Sequence, residues 1–261
     1  MLMEDLQHNK EYITDMEYIL ITGASSGIGR MISIHLSGTY NLILNGRNSD
    51  KLLETKSLCA SGHDHIIYNC DLNNQDETEN SFQQLIQEKN IAVSGFVHCA
   101  GYLKMLPFRT TSRQIMQDTM NINFFSAATL IKILISKKIN GTSLNNIIFI
   151  SSTASIMGAK AFSVYSASKG ALDSFMRCLA VELAPNVRVN SVLPGAIKTM
   201  MTDKIFQESE VTEHMKADYP LGFGEPADIA EMVSFLLSPK AKWITGQQFV
   251  IDGGRTINIS G

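Results

Sequence analysis

A phenol, an ammonium group and a hydroxyl occur close together in residues 150–172. Tyr165 and Lys169 are one helical turn apart, so their side chains lie on the same face of a predicted helix. Ser152 lies just past an apolar run that is typical of a strand, and α/β sheets place their ligand crevice at such strand ends. The three groups can converge on one carbonyl oxygen, and Lys169 is expected to lower the pKa of the Tyr165 phenol. A surface Tyr-Lys pair on an ordinary helix is the alternative interpretation.

The second candidate is the segment ILITGASSGIGR at residues 19–30. Its G-A-S-S-G run at residues 23–27 fits the G-x-S-x-G elbow of hydrolases, and adding Gly29 gives a phosphate-binding loop. A hydrolase serine requires a later acid and histidine, but the late His214 lies in a polar loop with no strand-end acid clearly placed. We therefore interpret the loop, which follows the first predicted strand, as a cradle for dinucleotide phosphates. A glycine-rich turn that binds nothing is the alternative.

The composition argues against several classes of function. A net charge of −3 without a basic block argues against nucleic acid as a partner. No apolar run predicts a signal peptide or a membrane span, so no membrane partner is expected. No metal site is predicted, because the strand-end His98 has no second ligand at a useful spacing. Scattered cysteines predict free buried thiols in a reducing, cytoplasmic compartment, and these are Cys59, Cys70, Cys99 and Cys178.

Apolar, β-branched runs alternate with amphipathic segments along the chain, which predicts an α/β domain with a parallel sheet covered on both faces. Residues 1–16 are expected to be an N-terminal extension, and residues 17–261 a single domain with a substrate loop at about 195–224. Predicted strands cover residues 18–22, 41–45, 65–68, 95–98, 146–150, 188–193 and 248–251. Predicted helices cover residues 27–36, 50–59, 75–89, 112–137, 163–184 and 226–237.

These motifs, in this order, resemble the short-chain dehydrogenase/reductase family, and the chain is similar to its 3-oxoacyl-[acyl-carrier-protein] reductases. The resemblance extends from Tyr18 to the C-terminus and includes TGASSGIG, CDL, NINFF, PGAIKT and ITGQQFVIDGG. It implies a single-domain Rossmann fold, doubly wound, with a seven-stranded parallel sheet in the order 3-2-1-4-5-6-7 and helices on both faces.

The resemblance also implies the site residues. The implied catalytic residues are Asn123, Ser152, Tyr165 and Lys169, with Asn121 as a rival to Asn123. The implied cofactor-binding residues are Gly23, Ser25, Ser26, Gly27, Ile28, Gly29, Arg47, Asp71, Leu72, Ala100, Gly101, Tyr165, Lys169, Pro194, Gly195, Ile197 and Thr199.

Two departures from the usual family pattern affect the cofactor site. HCAG, at residues 98–101, replaces N-N-A-G, so Cys99 stands where an asparagine ties the sheet together, and local rigidity is in doubt. The second predicted strand ends in Asn45, Gly46 and Arg47, without the acid that binds the ribose hydroxyls of NAD. A guanidinium pairs with a 2′-phosphate, so NADP(H) is the preferred cofactor and NAD(H) the alternative. Arg47 as a solvated loop charge is the competing interpretation.

By resemblance, the protein is an NAD(P)-dependent enzyme that transfers a hydride between a nicotinamide and a carbonyl or secondary alcohol. The leading substrate is a 3-oxoacyl thioester on a carrier. The alternatives are an alcohol or sugar dehydrogenase working in the oxidative direction and a non-catalytic NADP(H)-binding redox sensor. A homotetramer or dimer is implied, paired through the predicted helices 112–137 and 163–184. An apolar substrate pocket is predicted from Tyr102, Leu103, Met105, Leu106, Phe108, Met200, Met201, Ile205 and Phe206.

Overall fold

The first strand, β1 (Glu17–Thr22), sends alternate side chains to opposite faces of the sheet. Tyr18 and Leu20 belong to one apolar core, while Ile19 and Ile21 belong to the other. The sheet is therefore covered on both faces, as the sequence predicted. The computed structural model describes residues 17–199, 202 and 216–258, so the predicted extension at residues 1–16 lies outside it.

Seven parallel strands form one sheet in the described part of the chain, in the order β3-β2-β1-β4-β5-β6-β7. This confirms the predicted topology. The winding direction reverses between β1 and β4, so the loops that follow these two neighbouring strands diverge and leave a crevice. The strands after β1 are β2 (Asn41–Gly46), β3 (His65–Asn69), β4 (Ala92–His98), β5 (Asn146–Ile150), β6 (Arg188–Pro194) and β7 (Gln248–Ile251).

Helices cover both faces of the sheet. Phe82, Leu130 and Leu172 pack into one core, while Ile32 and Val233 pack into the other. The helices are α1 (Gly27–Leu36), α2 (Ser49–Leu58), α3 (Gln75–Lys89), α4 (Arg113–Met120), α5 (Ser126–Leu134), α6 (Lys137–Asn140), α7 (Ser163–Glu182) and α8 (Pro226–Leu237).

The helix predicted at residues 112–137 is confirmed from Arg113 to Leu134, but a π-helical turn, Asn121–Phe125, interrupts it and separates α4 from α5. The side chain of Asn123, inside this turn, accepts a hydrogen bond from the main-chain N–H of Tyr102 at 2.7 Å. π turns often occur at functional sites, where the extra residue redirects a side chain.

The cysteines have no disulfide partners in the described residues. Cys70 is buried, and Cys59 and Cys99 are half-buried, but Cys178 is exposed, so the prediction of burial is wrong for that residue. Among the helices that the structure describes, none is long and apolar enough to cross a membrane.

Candidate active site

A cavity of about 1180 Å³ opens at the carboxyl ends of the parallel strands. It runs from the loop after β1 to the ends of β5 and β6, and it is continuous with the surface of α7 that carries Tyr165 and Lys169. All of the predicted cofactor-binding residues line it: Gly23, Ser25, Ser26, Gly27, Ile28, Gly29, Arg47, Asp71, Leu72, Ala100, Gly101, Tyr165, Lys169, Pro194, Gly195, Ile197 and Thr199.

The glycine loop fits the phosphates of a dinucleotide. Gly23 has a φ of 68°, and a Cβ there would lie 2.9 Å from the Cα of Ala100, so only glycine allows this approach. A Cβ on Gly29 would collide with the carbonyl of Gly23. Because Gly29 has no side chain, the start of α1 can pack against the loop. Ser26 is the N-cap of α1 but makes no side-chain capping bond. The first-turn N–H groups of α1 can therefore bind an anion.

Arg30 holds the outer side of this loop, a contact that the sequence analysis missed. Its guanidinium donates to the main-chain oxygen of Ser25 at 2.8 Å and pairs with Glu54 of α2 at 2.7 Å. Thr55, also on α2, donates to the main-chain oxygen of Ala24 at 3.0 Å. The first turn of α1 and the middle of α2 thus fix the loop together. No local motif predicted these contacts, because the residues that make them are far apart in the sequence.

Arg47 lies at the rim of the cavity, directly after β2. Its side chain is exposed and makes no hydrogen bond or ion pair with the described residues. Asn48 caps α2 by accepting a hydrogen bond from the N–H of Lys51, and Lys51 also lines the rim. The end of β2 carries no acid of the kind that binds the ribose hydroxyls in an NAD site.

Ser152 and Tyr165 meet inside the cavity. Ser152 Oγ accepts a hydrogen bond from the N–H of Ala154 at 3.1 Å. Burial raises the pKa of Tyr165 to about 12, and a hydrogen bond from Ser152 lowers it in part. The spacing of Tyr165 and Lys169 predicted that Lys169 lowers this pKa, but among the described residues the lowering comes from Ser152. Tyr165 is therefore protonated at neutral pH.

Lys169 is buried beneath the Tyr165 ring. Its Nζ lies 5.7 Å from the ring centroid and donates to the main-chain oxygen of Ile150 at 2.8 Å. Burial lowers the pKa of Lys169 to about 8, against opposing contributions from Cys99 and Asp173. The ammonium and the phenol are thus close together, as their spacing predicted, and both line the cavity.

Asn123 lies behind the cavity and does not line it. Its amide nitrogen donates to Ser168 Oγ at 2.8 Å and to the Tyr102 main-chain oxygen at 3.2 Å. Ser168 Oγ in turn donates to the main-chain oxygen of Tyr165 at 2.7 Å. The rival Asn121 instead donates to Asn73, on the connection between β3 and α3. The geometry therefore favours Asn123 over Asn121 as the residue linked to Tyr165.

His98 makes up for the departure at HCAG. It is fully buried, and its two ring nitrogens contact Thr22 Oγ1 at 3.0 Å and the main-chain oxygen of Asn123 at 3.2 Å. The half-buried Cys99 lines the cavity, and burial raises the pKa of its thiol to about 12. The rigidity that the missing asparagine put in doubt is thus supplied by the neighbouring histidine.

The predicted apolar substrate pocket is confirmed only in part among the described residues. Tyr102, Leu103 and Met105 line it, but Leu106 and Phe108 do not. The predicted pocket residues Met200, Met201, Ile205 and Phe206 lie outside the described residues. Distant segments contribute further lining residues that no sequence pattern predicted, which are Met157, Phe162, Asp218, Tyr219 and Arg255.

Comparisons with known proteins agree with this arrangement. The family described as Enoyl-(Acyl carrier protein) reductase matches residues 23–256. A tropinone reductase homolog of Arabidopsis thaliana is 32% identical over 254 residues, covering 92% of each chain. The 3-oxoacyl-[acyl-carrier-protein] reductase of Homo sapiens is 33% identical over 240 residues, covering 90% of this chain and 95% of that protein. A solved 4-hydroxyisoleucine dehydrogenase complexed with NADH has a TM-score of 0.85 and 27% identity, covering 93% of this chain and 99% of that one.

The sheet, the glycine loop and the Ser-Tyr-Lys arrangement define an NAD(P)-dependent oxidoreductase of the Rossmann type. The chain belongs to the short-chain dehydrogenase/reductase family.

Proposed function

We propose that the protein is an NADP(H)-dependent carbonyl reductase that acts on a 3-oxoacyl thioester on a carrier. The observation that carries the proposal is the Tyr165 phenol, which faces the cavity beside Ser152 and keeps its proton at neutral pH because burial raises its pKa to about 12. A protonated phenol is a proton donor, and reduction of a carbonyl needs a proton donor at the oxygen.

Bound NADP(H) would supply the hydride. Tyr165 donates its proton to the carbonyl oxygen, and the Ser152 hydroxyl orients that oxygen by hydrogen bonding. Lys169 binds the cofactor ribose and stabilises the phenolate that forms when Tyr165 gives up its proton. The family resemblance implies that Asn123 anchors a water that passes protons outward, but both of its amide hydrogens are donated inside the protein, to Tyr102 and Ser168. We assign it the positioning of Ser168 and the Tyr102 main chain.

Arg47 supports the preference for NADP(H). The guanidinium lies at the rim of the cavity without a partner among the described residues, and the β2 end offers no carboxylate that would repel a 2′-phosphate. NAD(H) remains the alternative cofactor.

Two observations support the proposed substrate class, namely apolar residues that line the cavity and the similarity to known reductases. Leu103, Met105, Met157 and Phe162 are apolar residues that line the cavity, and apolar lining suits an acyl chain. The similarity to the human 3-oxoacyl-[acyl-carrier-protein] reductase points to the same class of substrate.

A polar pair favours a second candidate, a dehydrogenase that oxidises a hydroxy acid or sugar. Arg255 and Asp218 form an ion pair at 3.2 Å, and both line the cavity. A charged or hydroxylated substrate could exchange with this pair. The similarity to the 4-hydroxyisoleucine dehydrogenase agrees with this alternative. A non-catalytic NADP(H)-binding sensor is less well supported, because Ser152, Tyr165 and Lys169 are all in place.

We further propose a homotetramer, or a dimer, paired through α5 and α7. The exposed apolar side chains Phe125, at 45% exposure, and Val181, at 80%, lie on or next to these helices and would be covered by a second copy. Light scattering after gel filtration measures the assembly.

The deciding experiment follows NADPH consumption and, in reverse, NADP⁺ reduction. The panel contains acetoacetyl thioesters, cyclic ketones, keto sugars and hydroxy acids. We expect the highest kcat/KM with acetoacetyl thioesters. A higher kcat/KM for hydroxy acids or sugars with NADP⁺ would support the second candidate. Tight NADPH binding without turnover on any member would support the sensor.

A further inference from the structure

Lys169 and Asp173 are the only Asp, Glu, Lys or Arg side chains that are buried in the part of the chain that the structure describes, at 3% and 2% exposure. They are four residues apart on α7, so they lie on the same face of the helix. Burial of a single charge is strongly unfavourable unless an opposite charge or hydrogen bonds compensate it. Two buried charges of opposite sign on one helix face therefore require a common explanation.

The end of β5 contacts both residues. The main-chain oxygen of Ile150 accepts from Lys169 Nζ at 2.8 Å, and the next residue, Ser151, donates its hydroxyl to Asp173 Oδ2 at 2.9 Å. Ser152 follows directly and bonds to the phenol. The other carboxylate oxygen, Asp173 Oδ1, has no hydrogen-bond partner among the described residues. The carboxylate is thus held in place by Ser151 but is not neutralised by hydrogen bonds alone.

Within the described part of the chain, four titratable groups face Lys169. On α7 these are Tyr165 and Asp173, and at the end of β4 they are His98 and Cys99. Burial keeps His98 neutral, because its pKa falls to about 3, and keeps the Cys99 thiol protonated, because its pKa rises to about 12. Tyr165 is also protonated at neutral pH. Asp173 is therefore the anion among them.

We propose that Asp173 is a positioning residue that keeps Lys169 in its ammonium form and, through Ser151, fixes the end of β5 that carries Ser152. The proposal rests on the proposed function in that the ammonium is the form that assists Tyr165. Asp173 does not line the cavity. It acts through the electric field on Lys169 and through its hydrogen bond with Ser151.

The test is Asp173→Asn, which preserves the size of the side chain and an acceptor for Ser151 but removes the charge. Loss of the anion lowers the pKa of Lys169, so the high-pH decline in kcat/KM moves to lower pH. If the midpoint moves by about one pH unit, kcat/KM of Asp173→Asn is roughly tenfold lower than that of the wild type at pH values above the decline. At pH values well below the decline, the two proteins have nearly equal kcat/KM. The same midpoint is read directly from the ¹³Cε NMR signal of Lys169, identified by its loss in Lys169→Arg. That readout needs no turnover, so it remains valid if the reductase proposal fails.

Three variants serve as controls. Glu182→Gln removes the same charge from the exposed end of α7 and should leave the midpoint unchanged. Ser151→Ala removes the hydrogen bond but retains the charge, so it should lower kcat without moving the midpoint. Asp173→Glu retains the charge and should keep the wild-type midpoint, and Asp173→Ser, which also removes the charge, takes the place of Asp173→Asn if that variant does not fold. An unmoved midpoint in Asp173→Asn, or an equal shift in Asp173→Glu or Glu182→Gln, would overturn the proposal.

Discussion

His98 Nε2 lies 3.2 Å from the main-chain oxygen of Asn123, and His98 Nδ1 lies 3.0 Å from Thr22 Oγ1. A carbonyl oxygen can only accept, so Nε2 carries the proton and Nδ1 accepts from the Thr22 hydroxyl. The Thr22 oxygen in turn accepts the N–H groups of Cys99 and Ala100, each at 3.1 Å. A neutral His98 thus joins β1, β4 and the π turn in one chain of hydrogen bonds.

His98→Asn is expected to make the protein less sensitive to acid. Burial lowers the pKa of His98 to about 3, whereas the unfolded chain binds the proton near pH 6.5, so the free energy of unfolding falls as the pH drops below 6.5. At pH 4.5 this contribution amounts to roughly 2–3 kcal/mol. Urea unfolding at pH 7 and pH 4.5 should show that the free energy of unfolding decreases less between these pH values in the variant than in the wild type. The exposed His63 provides the control, since the free energy of unfolding of His63→Asn should decrease as much as that of the wild type. An equal loss in His98→Asn would contradict the assignment.

Tyr165→Phe is expected to reduce kcat by roughly 10²–10⁴-fold, because the proton donor to the carbonyl oxygen is lost while the ring is retained. NADPH binding, followed by its fluorescence, should persist. Tyr102→Phe is the matched control, since Tyr102 also lines the cavity but is bonded to Asn123 only through its main chain. Turnover at the wild-type rate in Tyr165→Phe would eliminate the mechanism.

Arg47→Ala is expected to lower the ratio of kcat/KM for NADPH to that for NADH by roughly 10–100-fold, the effect of losing a charge-assisted phosphate contact. Steady-state kinetics with both cofactors measures the ratio. Arg109→Ala removes an exposed arginine that does not line the cavity, and the ratio should not change. Equal values for the two cofactors in the wild type, or an NADH preference that Arg47→Ala leaves unchanged, would argue for a solvated loop charge.

Ala161→Gly is expected to raise the free energy of unfolding by about 1 kcal/mol, since a left-handed backbone is unfavourable for alanine. Ala161 has a φ of 67°, and its carbonyl accepts the N–H of Leu106 at 3.1 Å, which ties two loops of the cavity wall together. The nearby exposed Ala159 has no positive φ, so Ala159→Gly should lower stability through chain entropy. Denaturant unfolding compares the two, and a loss of stability in both variants would show that Ala161 is unstrained.

The sequence was informative wherever function depends on local spacing. The strands alternate in chain order with helices, and the seven predicted strands agree with the observed ones to within a few residues. The four-residue spacing of Tyr165 and Lys169 places both on one face of α7, and the glycine loop follows β1 as its motif predicted. Periodicity reports on these features because each depends on a single element.

Only the tertiary structure determines the environment of these side chains. The pKa of Tyr165 rises because of burial, and the contact that lowers it comes from Ser152, on a different element from the helix that carries Tyr165. Arg255 reaches the cavity from the C-terminal end of the chain. Desolvation and contacts between distant segments are properties of the packed molecule, so the spacing of residues determined which groups could react, and packing determined their charge, their partners and their surroundings.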